Sequence, residues 1–310
     1  TLMTAVPRLY EVLHDRIMRG VKTKGGISEK LFMAAVRLGT KRYQGRRLLP
    51  HEFALNMIVD RLVRTKVSSR LGGRLQYFIS GGAALNPEIG NFFMALGINI
   101  LQGYGQTEAS PLISANRPKR IKIESVGPPV AGIDVRIADD GEILVRGDVL
   151  MKGYWRDEHS TAAAIQDGWL HTGDIGSCDK DGYITITGRK KEMIVNSGGE
   201  NIVPSRVEAL LTIEPEIEQA MVDGDQRPWL AAVIVPSAEA REAAVSDEAL
   251  KLLIADTIER ANGRLSQIER VRRFVIADED FTTENNQLTA TLKVRRHIVK
   301  AKYQDKIAAL

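Results

Sequence analysis

Between Leu9 and Val67, apolar side chains recur at three- and four-residue intervals with basic residues among them, which predicts amphipathic helices joined at Gly25-Gly26 and Leu49-Pro50. The period then changes. Leu75 to Ser80 (LQYFIS) is a short apolar run stopped by Gly81-Gly82, as expected of a buried strand entering a glycine turn. Asn86, Pro87 and Glu88 supply an N-cap, a first-turn proline and an acid at the positive helix end. Ile89, Phe92, Phe93 and Leu96 follow on one helical face, and Gly97 closes the helix. Ile98 to Leu101 is a second strand, ending in Gly103-Tyr104-Gly105. Such a strand, helix, strand unit predicts a parallel sheet that binds ligands beyond the carboxyl ends of its strands, where both glycine clusters fall.

From Ser125 to Gly188 the signals are antiparallel. Ile133, Val135 and Ile137 alternate with Asp134 and Arg136, Asp140-Gly141 turns into Glu142 to Val145, and Asp181-Gly182 leads into Tyr183 to Thr187. Beyond Arg189, apolar strands are expected at Met193 to Val195, Ile217 to Val222, Leu230 to Val235 and Val271 to Ile276, with a helix opening at Ser246. The pattern divides the chain into an αβ part (1–124), a small antiparallel β part (125–188) and a further α/β domain (189–310), with a hinge at 188–192. No internal repeat interrupts it.

Composition narrows the setting. The 310 residues carry one cysteine, Cys178, so no internal disulfide is expected, and no run reaches the roughly 20 apolar residues that span a bilayer. A cytoplasmic location is the expectation. The chain opens at Thr1 without a charged-then-apolar leader, so its start reads as a cut. The net charge is only +4, yet residues 1–74 hold 16 basic and 5 acidic side chains, +11, which leaves −7 for the remainder. The interleaving of these charges with apolar residues favours solvated helix faces, with peripheral contact at an anionic inner membrane face as the alternative. No aromatic-studded basic motif accompanies them, so nucleic acid is not an expected partner.

Single motifs are ambiguous in chemistry. Tyr104-Gly105-Gln106-Thr107-Glu108 (YGQTE) puts an aromatic face, a hydroxyl and a carboxylate within five positions, suited to a base, a phosphate and a hard cation, or else forms a strand-ending turn with a capping threonine. Thr172-Gly173-Asp174 offers a carboxylate to a ribose diol or a tight turn. Gly188-Arg189-Lys190-Lys191 is an anion contact or a charged interdomain loop. Ser197-Gly198-Gly199 admits a ligand close to backbone or is a plain loop. Lys293, in LTATLKVRR, is a catalytic cation or a solvated helix-start lysine.

Their order is more informative. SGGAAL, YGQTE, SVGPP, GEILVRG with MKGY, DGWLHTGD, GYITITGRKKEMIVNSGGENI and LTATLKVRR, in sequence from Ser80 to Arg296, resemble the adenylate-forming superfamily of acyl-CoA synthetases, peptide-synthetase adenylation domains and firefly luciferase. The lead-in TLMTAVPRLYEVLHDRI, the extended basic segment and RLGGRLQYFISGGAAL resemble its AMP-forming long-chain acyl-CoA synthetase branch. The resemblance implies an α/β fold, part of a large adenylate-forming domain (a parallel αβ layer plus a small antiparallel barrel) with a mobile C-terminal α/β domain. It implies ATP-dependent activation of a long-chain fatty acid through acyl-AMP to acyl-CoA, with Mg²⁺ as cofactor and ATP and coenzyme A as substrates. By the same resemblance, Gly81, Gly82 and Ala83 line the adenine and acyl carboxylate region together with Gly103 and Gly105, and Tyr104 lies against the adenine. Thr107 meets phosphate and Glu108 holds Mg²⁺. Asp174, assisted by Arg189, receives the ribose hydroxyls. Lys293 bridges the α-phosphate and acyl oxygen in the first step only. Lys191 is the hinge, and Ser197, Gly198, Gly199 and Glu200 shape the CoA passage after a domain swing.

The match has gaps. The Ser/Thr/Gly-rich loop ending in Pro-Lys-Gly, which in the family grips the β and γ phosphates, is expected upstream of VPRLYE and does not occur in these residues, so the isolated chain is expected to be a poor catalyst. Ala290 stands where long-chain relatives have proline, and Lys191 where acetyl-CoA synthetases have aspartate. Two rival readings are a fatty acyl-AMP ligase, whose usual insertion near the hinge is not seen in Gly188 to Glu200, and a non-catalytic AMP-binding module.

Overall fold

The computed structural model describes every residue, Thr1–Leu310, and the chain separates into two units, Thr1–Ile186 and Thr187–Leu310. The first begins with strand β1 (Leu2–Ala5), after which Pro7 opens helix α1 (Pro7–Lys24) at a position whose N–H would have no helical partner anyway. Gly25, at φ 54°, ends that helix, and α2 (Gly26–Tyr43) follows. Helix α3 (Pro50–Val59) runs through a π turn at Asp60–Arg64 into α4 (Thr65–Arg70). The π turn feeds Arg64 into the core, a recurrent use of such bulges. There the guanidinium donates to the carbonyls of Ala35 (2.8 Å) and Ala95 (3.0 Å) and to Asn56 (2.9 Å) and Asp60 (3.0 Å), so each of its three nitrogens has a partner.

Strand β2 (Tyr77–Ser80), helix α5 (Pro87–Ala95) and strand β3 (Asn99–Tyr104) form the expected crossover. Strands β1, β2 and β3 are parallel and adjacent, and β4 (Ser114–Ala115) joins β3 antiparallel. Asn86 caps α5, its Oδ1 accepting from the Glu88 N–H at 2.9 Å. Phe78 of β2, Phe93 of α5 and Tyr10 of α1 form the centre of this layer, with Tyr10 edge-on to the two rings at 5.3 and 5.9 Å. Strand β2 begins two residues later than the apolar run at Leu75 implies. Strand β3 extends past Leu101 because Gly103 and Tyr104 pair with Ala115 and Ser114, so these two residues belong to a strand and not to the turn beyond it.

The same unit holds a five-stranded antiparallel sheet, whose last strand continues past Ile186. It comprises β5 (Asp134–Ile137), β6 (Glu142–Arg146), β7 (Ile165–Gln166), β8 (Trp169–Cys178) and β9 (Ile184–Arg189), in the order β5-β6-β8-β7, with β9 also pairing β8. Helix α6 (Glu158–Ala164) precedes β7. Both Asp-Gly pairs are turns, Gly141 and Gly182 adopting φ of 85° and 81°. Ile143, Val145, Leu170 and Ile184 pack with Ile113 and with Tyr104 from the end of β3, so one tyrosine belongs to the parallel sheet by backbone and to the antiparallel sheet by side chain.

In the second unit a short ladder of β10 (Ile194–Val195) and β11 (Asn201–Ile202) precedes α7 (Pro204–Leu211). Strands β12 (Ile217–Asp223), β13 (Leu230–Pro236) and β14 (Val271–Ile276) form one sheet in that order, antiparallel then parallel. Helices α8 (Ala238–Ala243) and α9 (Asp247–Asn262) connect β13 to β14, and α10 (Arg296–Ala308) ends the chain. Strand β13 reads LAAVIVP without alternation because both its faces are covered. Leu230, Ala232 and Ile234 meet Val207 and Ile254, while Ala231, Val233 and Val235 meet Phe281, Val299 and Tyr303.

Candidate functional site

The carboxyl ends of β2 and β3 carry the first group of candidate residues. Gly81 follows β2 beside Gly103 of the adjacent strand, and a Cβ on Gly81 would make an ordinary contact, 3.6 Å, with the Gly103 carbonyl oxygen. Gly82 turns the chain away at φ 84°, and Ala83 follows, exposed. Gly105 is required for a different reason. A Cβ there would lie 1.6 Å from the Pro111 carbonyl oxygen, so only glycine lets the following loop fold back onto the strand end. That loop holds a 3-10 turn at Thr107–Ala109 whose cap, Gln106, makes no side-chain bond; the exposed Thr107 hydroxyl caps nothing and faces solvent. The Glu108 carbonyl accepts from the Met151 N–H (2.8 Å), and its carboxylate accepts from the Tyr154 hydroxyl (2.9 Å). Desolvation, and then the hydrogen bond to Glu108 and that group's charge, push the Tyr154 hydroxyl above its ordinary range, so it remains a donor to that carboxylate.

Asp174, on β8, is only 4% exposed, and its Oδ2 accepts from the buried Tyr104 hydroxyl at 2.7 Å. The turn presenting it is braced from three sides. The Thr172 hydroxyl donates to the Ile143 carbonyl (2.7 Å) and accepts from the Asp174 N–H (3.1 Å). Gly173, at φ 70°, donates its N–H to Glu142 Oε1 at 2.9 Å, and Glu142 Oε2 lies 3.2 Å from His171 Nδ1. Glu142, 5% exposed, is thus part of the site's frame. Sequence reasoning missed it, because a glutamate following Asp-Gly in a hairpin reads as a solvated turn residue.

The structure therefore brings together Gly81, Gly103, Tyr104 and Asp174, with Thr107 and Glu108 on the loop leaving the same strand. Arg189, Lys191, Ser197, Gly198, Gly199, Glu200 and Lys293 belong to the second unit. There, the Ser197–Glu200 loop is a built turn. Asn196 Oδ1 accepts from the N–H groups of Gly198 and Glu200 at 2.9 Å each, and Gly199 adopts φ 81°. Lys191 is exposed within a 3-10 turn at Lys190–Glu192. Lys293 is not at a helix start. It sits in a turn before α10, its N–H donating to Thr289 Oγ1 (3.0 Å) and its carbonyl accepting from the Thr289 N–H (2.8 Å), with Leu292 at φ 60° and the ammonium exposed. Arg296, three residues on, is a second residue the motif conceals. It pairs with Glu208, donates to the Val222 carbonyl (3.2 Å) and reaches Glu192 of the hinge segment at 3.6 Å, tying the lysine turn to that segment.

For a metal, the donor set is telling. No group of three or more His, Cys, Asp or Glu side chains gathers anywhere in the chain. A single half-buried carboxylate, Glu108, beside a free threonine hydroxyl suits Mg²⁺, which binds through one or two carboxylates together with phosphate oxygens and water and needs no all-protein cage.

Glycines, a buried tyrosine–aspartate pair and a lone carboxylate at the carboxyl edge of a parallel sheet define an α/β protein of the class that binds ligands at that edge. Residues 1–155 match the AMP-binding enzyme family and residues 191–310 match the C-terminal domain of AMP-binding enzymes; the chain belongs to that family, within the adenylate-forming superfamily. Among relatives, it is 38% identical over 330 residues to the long-chain-fatty-acid–CoA ligase FadD15 of Mycobacterium bovis, covering 100% of this chain and 54% of the relative. It is 31% identical to the peroxisomal long chain acyl-CoA synthetase 6 of Arabidopsis thaliana, covering 99% of this chain and 48% of that one. The chain thus spans about half the length of these relatives. Among solved structures, the A-PCP didomain of carboxylic acid reductase from Segniliparus rugosus in complex with AMP aligns at TM-score 0.73 and 25% identity, covering 100% of this chain and 41% of that one.

Proposed function

We propose that the polypeptide carrying this chain activates a long-chain fatty acid in two steps, first to acyl-AMP with release of pyrophosphate and then to acyl-CoA with release of AMP. The observation that carries the reading is the buried Tyr104–Asp174 pair at 2.7 Å on the glycine-rich strand edge, supported by the names of the relatives. In the first step a carboxylate oxygen attacks the α-phosphorus of ATP and the bond to pyrophosphate breaks. In the second the CoA sulfur attacks the acyl carbon and the bond to AMP breaks. Neither step needs a covalent protein intermediate, so the residues act by placement and charge.

In this reading Asp174, oriented by Tyr104 and by the Thr172 and Glu142 brace, accepts the ribose hydroxyls, and Arg189 assists. Gly81, Gly82 and Ala83 leave room for adenine and the acyl carboxylate, and Thr107 donates to phosphate. Glu108, held by Tyr154, would ligate Mg²⁺, which when bound neutralises phosphate charge. Lys293 supplies its ammonium to the α-phosphate and acyl oxygen in the first step. Lys191 and its neighbours serve as the hinge, and the Ser197–Glu200 turn faces the CoA arm in the second. The Pro-Lys-Gly loop of the family is not among these 310 residues, so the chain assayed alone is expected to bind AMP yet release pyrophosphate only at background.

The test is hydroxylamine trapping of acyl-AMP by the full polypeptide across fatty acids of increasing length, with and without CoA. Expected are trapping with long-chain substrates, CoA-dependent thioester formation, and a fall of about 100-fold or more in adenylation for Lys293→Ala while preformed acyl-AMP is still converted to acyl-CoA. Equal loss of both half-reactions, or adenylate that CoA does not consume, would overturn the assignment of Lys293 or of the thioester step.

A further inference from the structure

Helix α3 presents a face that its own sequence does not account for. Its buried side, Glu52, Asn56 and Val59, packs inward, yet Phe53 (60% exposed) and Met57 (63%) stand in solvent, continued by Leu49, Ile58 and Leu62. Large apolar side chains grouped on one exposed face mark a surface that meets an apolar partner. The margins of this face are basic. Residues 37–74 contain ten Lys and Arg against two acids, Glu52 and Asp60, and both acids are already paired, to Lys41 and Arg64. Arg42, Arg46 and Arg47 lie just before the face and Arg61, Lys66 and Arg70 at its far end, all exposed. No helix of the chain is long and apolar enough to cross a bilayer.

We infer that the solvent face of α3, with its arginine margins, is a seat for the surface of an anionic lipid bilayer. An apolar stripe that lies in the headgroup boundary while flanking cations meet lipid phosphates is the arrangement of an interfacial helix, and it explains together two features that are separately unfavourable: exposed Phe53 and Met57, and a local charge of +8. The commitment to lipid over a second copy of the chain rests on that charge, since two copies meeting through this face would bring like charges together.

The experiment is co-flotation of the full polypeptide with phosphatidylcholine vesicles, with and without phosphatidylglycerol. The expected result is flotation with the anionic vesicles only, reduced by added salt. It should fall about ten-fold in the double variant Phe53→Ser, Met57→Ser and separately in Arg46→Glu, Arg47→Glu, with circular dichroism unchanged because all four side chains are exposed. Absence of flotation, flotation indifferent to either pair of substitutions, or a dimer that Phe53→Ser, Met57→Ser dissociates in the absence of lipid would each overturn the inference.

Discussion

At the scale of single residues, the site depends on side chains whose task is to hold other groups. Glu142 is the clearest case. Its removal leaves the Gly173 N–H without its partner and frees the Asp174 turn, so Glu142→Ala should lower thermal stability by about 1–3 kcal/mol and weaken AMP binding about ten-fold or more, measured by calorimetry. Glu142→Gln keeps an acceptor for Gly173 and should recover most of the affinity. Tyr10 provides a test with pH. Burial pushes its hydroxyl from 10.0 up to about 12, opposed by the neighbouring Ser80 hydroxyl. The folded state therefore holds this proton more tightly than the unfolded chain, and the stability it confers is complete below pH 10 and is lost as pH rises from 10 to about 12. Neither the Tyr10 nor the Ser80 hydroxyl makes a hydrogen bond of normal geometry, so Tyr10→Phe should leave stability at neutral pH unchanged or raised and flatten the alkaline loss in a pH series of melts.

What the sequence reveals at this scale follows a physical rule. Tyr104 and Asp174 were legible as members of ordered motifs, although their mutual hydrogen bond was not, since 70 residues separate them. Glu142, Asn196 and Arg296 were not legible at all. A polar side chain in a turn looks the same in sequence whether water or a distant backbone amide satisfies it. Asn196, between an apolar strand and Ser197-Gly198-Gly199, resembles any loop residue until its two accepted bonds are seen.

Among elements, those with strong local signals formed as expected. Ser246 caps α9, accepting from the Ala249 N–H at 3.2 Å, with Asp247 and Glu248 in the first turn. Ser246→Ala should cost about 1 kcal/mol in denaturant unfolding, as loss of an N-cap does. The elements that escaped notice were the shortest. Strand β1 has four residues and β4 two, too few for a period to register, and each exists because a neighbouring strand supplies its partners. The π turn at Asp60–Arg64 is likewise invisible locally; it follows from where Arg64 must reach.

Over the whole molecule, each unit carries its own core. In the second, the sheet β12-β13-β14 is covered on one face by α7 and α9 and on the other by α10. Residues 187–310 expressed alone should therefore unfold cooperatively, as judged by coincident circular dichroism and tryptophan fluorescence transitions at Trp229. The sequence placed a change of texture at 188–192, beside the 186/187 division of the two units. The motif order also carries the family, because the chemistry of phosphate and ribose binding selects residue types that general packing does not.

The central claim is that the glycine edge with Tyr104 and Asp174 is a nucleotide site. Its most direct test is titration calorimetry of AMP into this chain and into Asp174→Ala, with Lys293→Ala as a companion that lies in the other unit. The account predicts AMP binding to the chain, weakened about ten-fold or more by Asp174→Ala and changed far less by Lys293→Ala. No measurable binding by a folded chain, or binding that Asp174→Ala leaves intact, would contradict it.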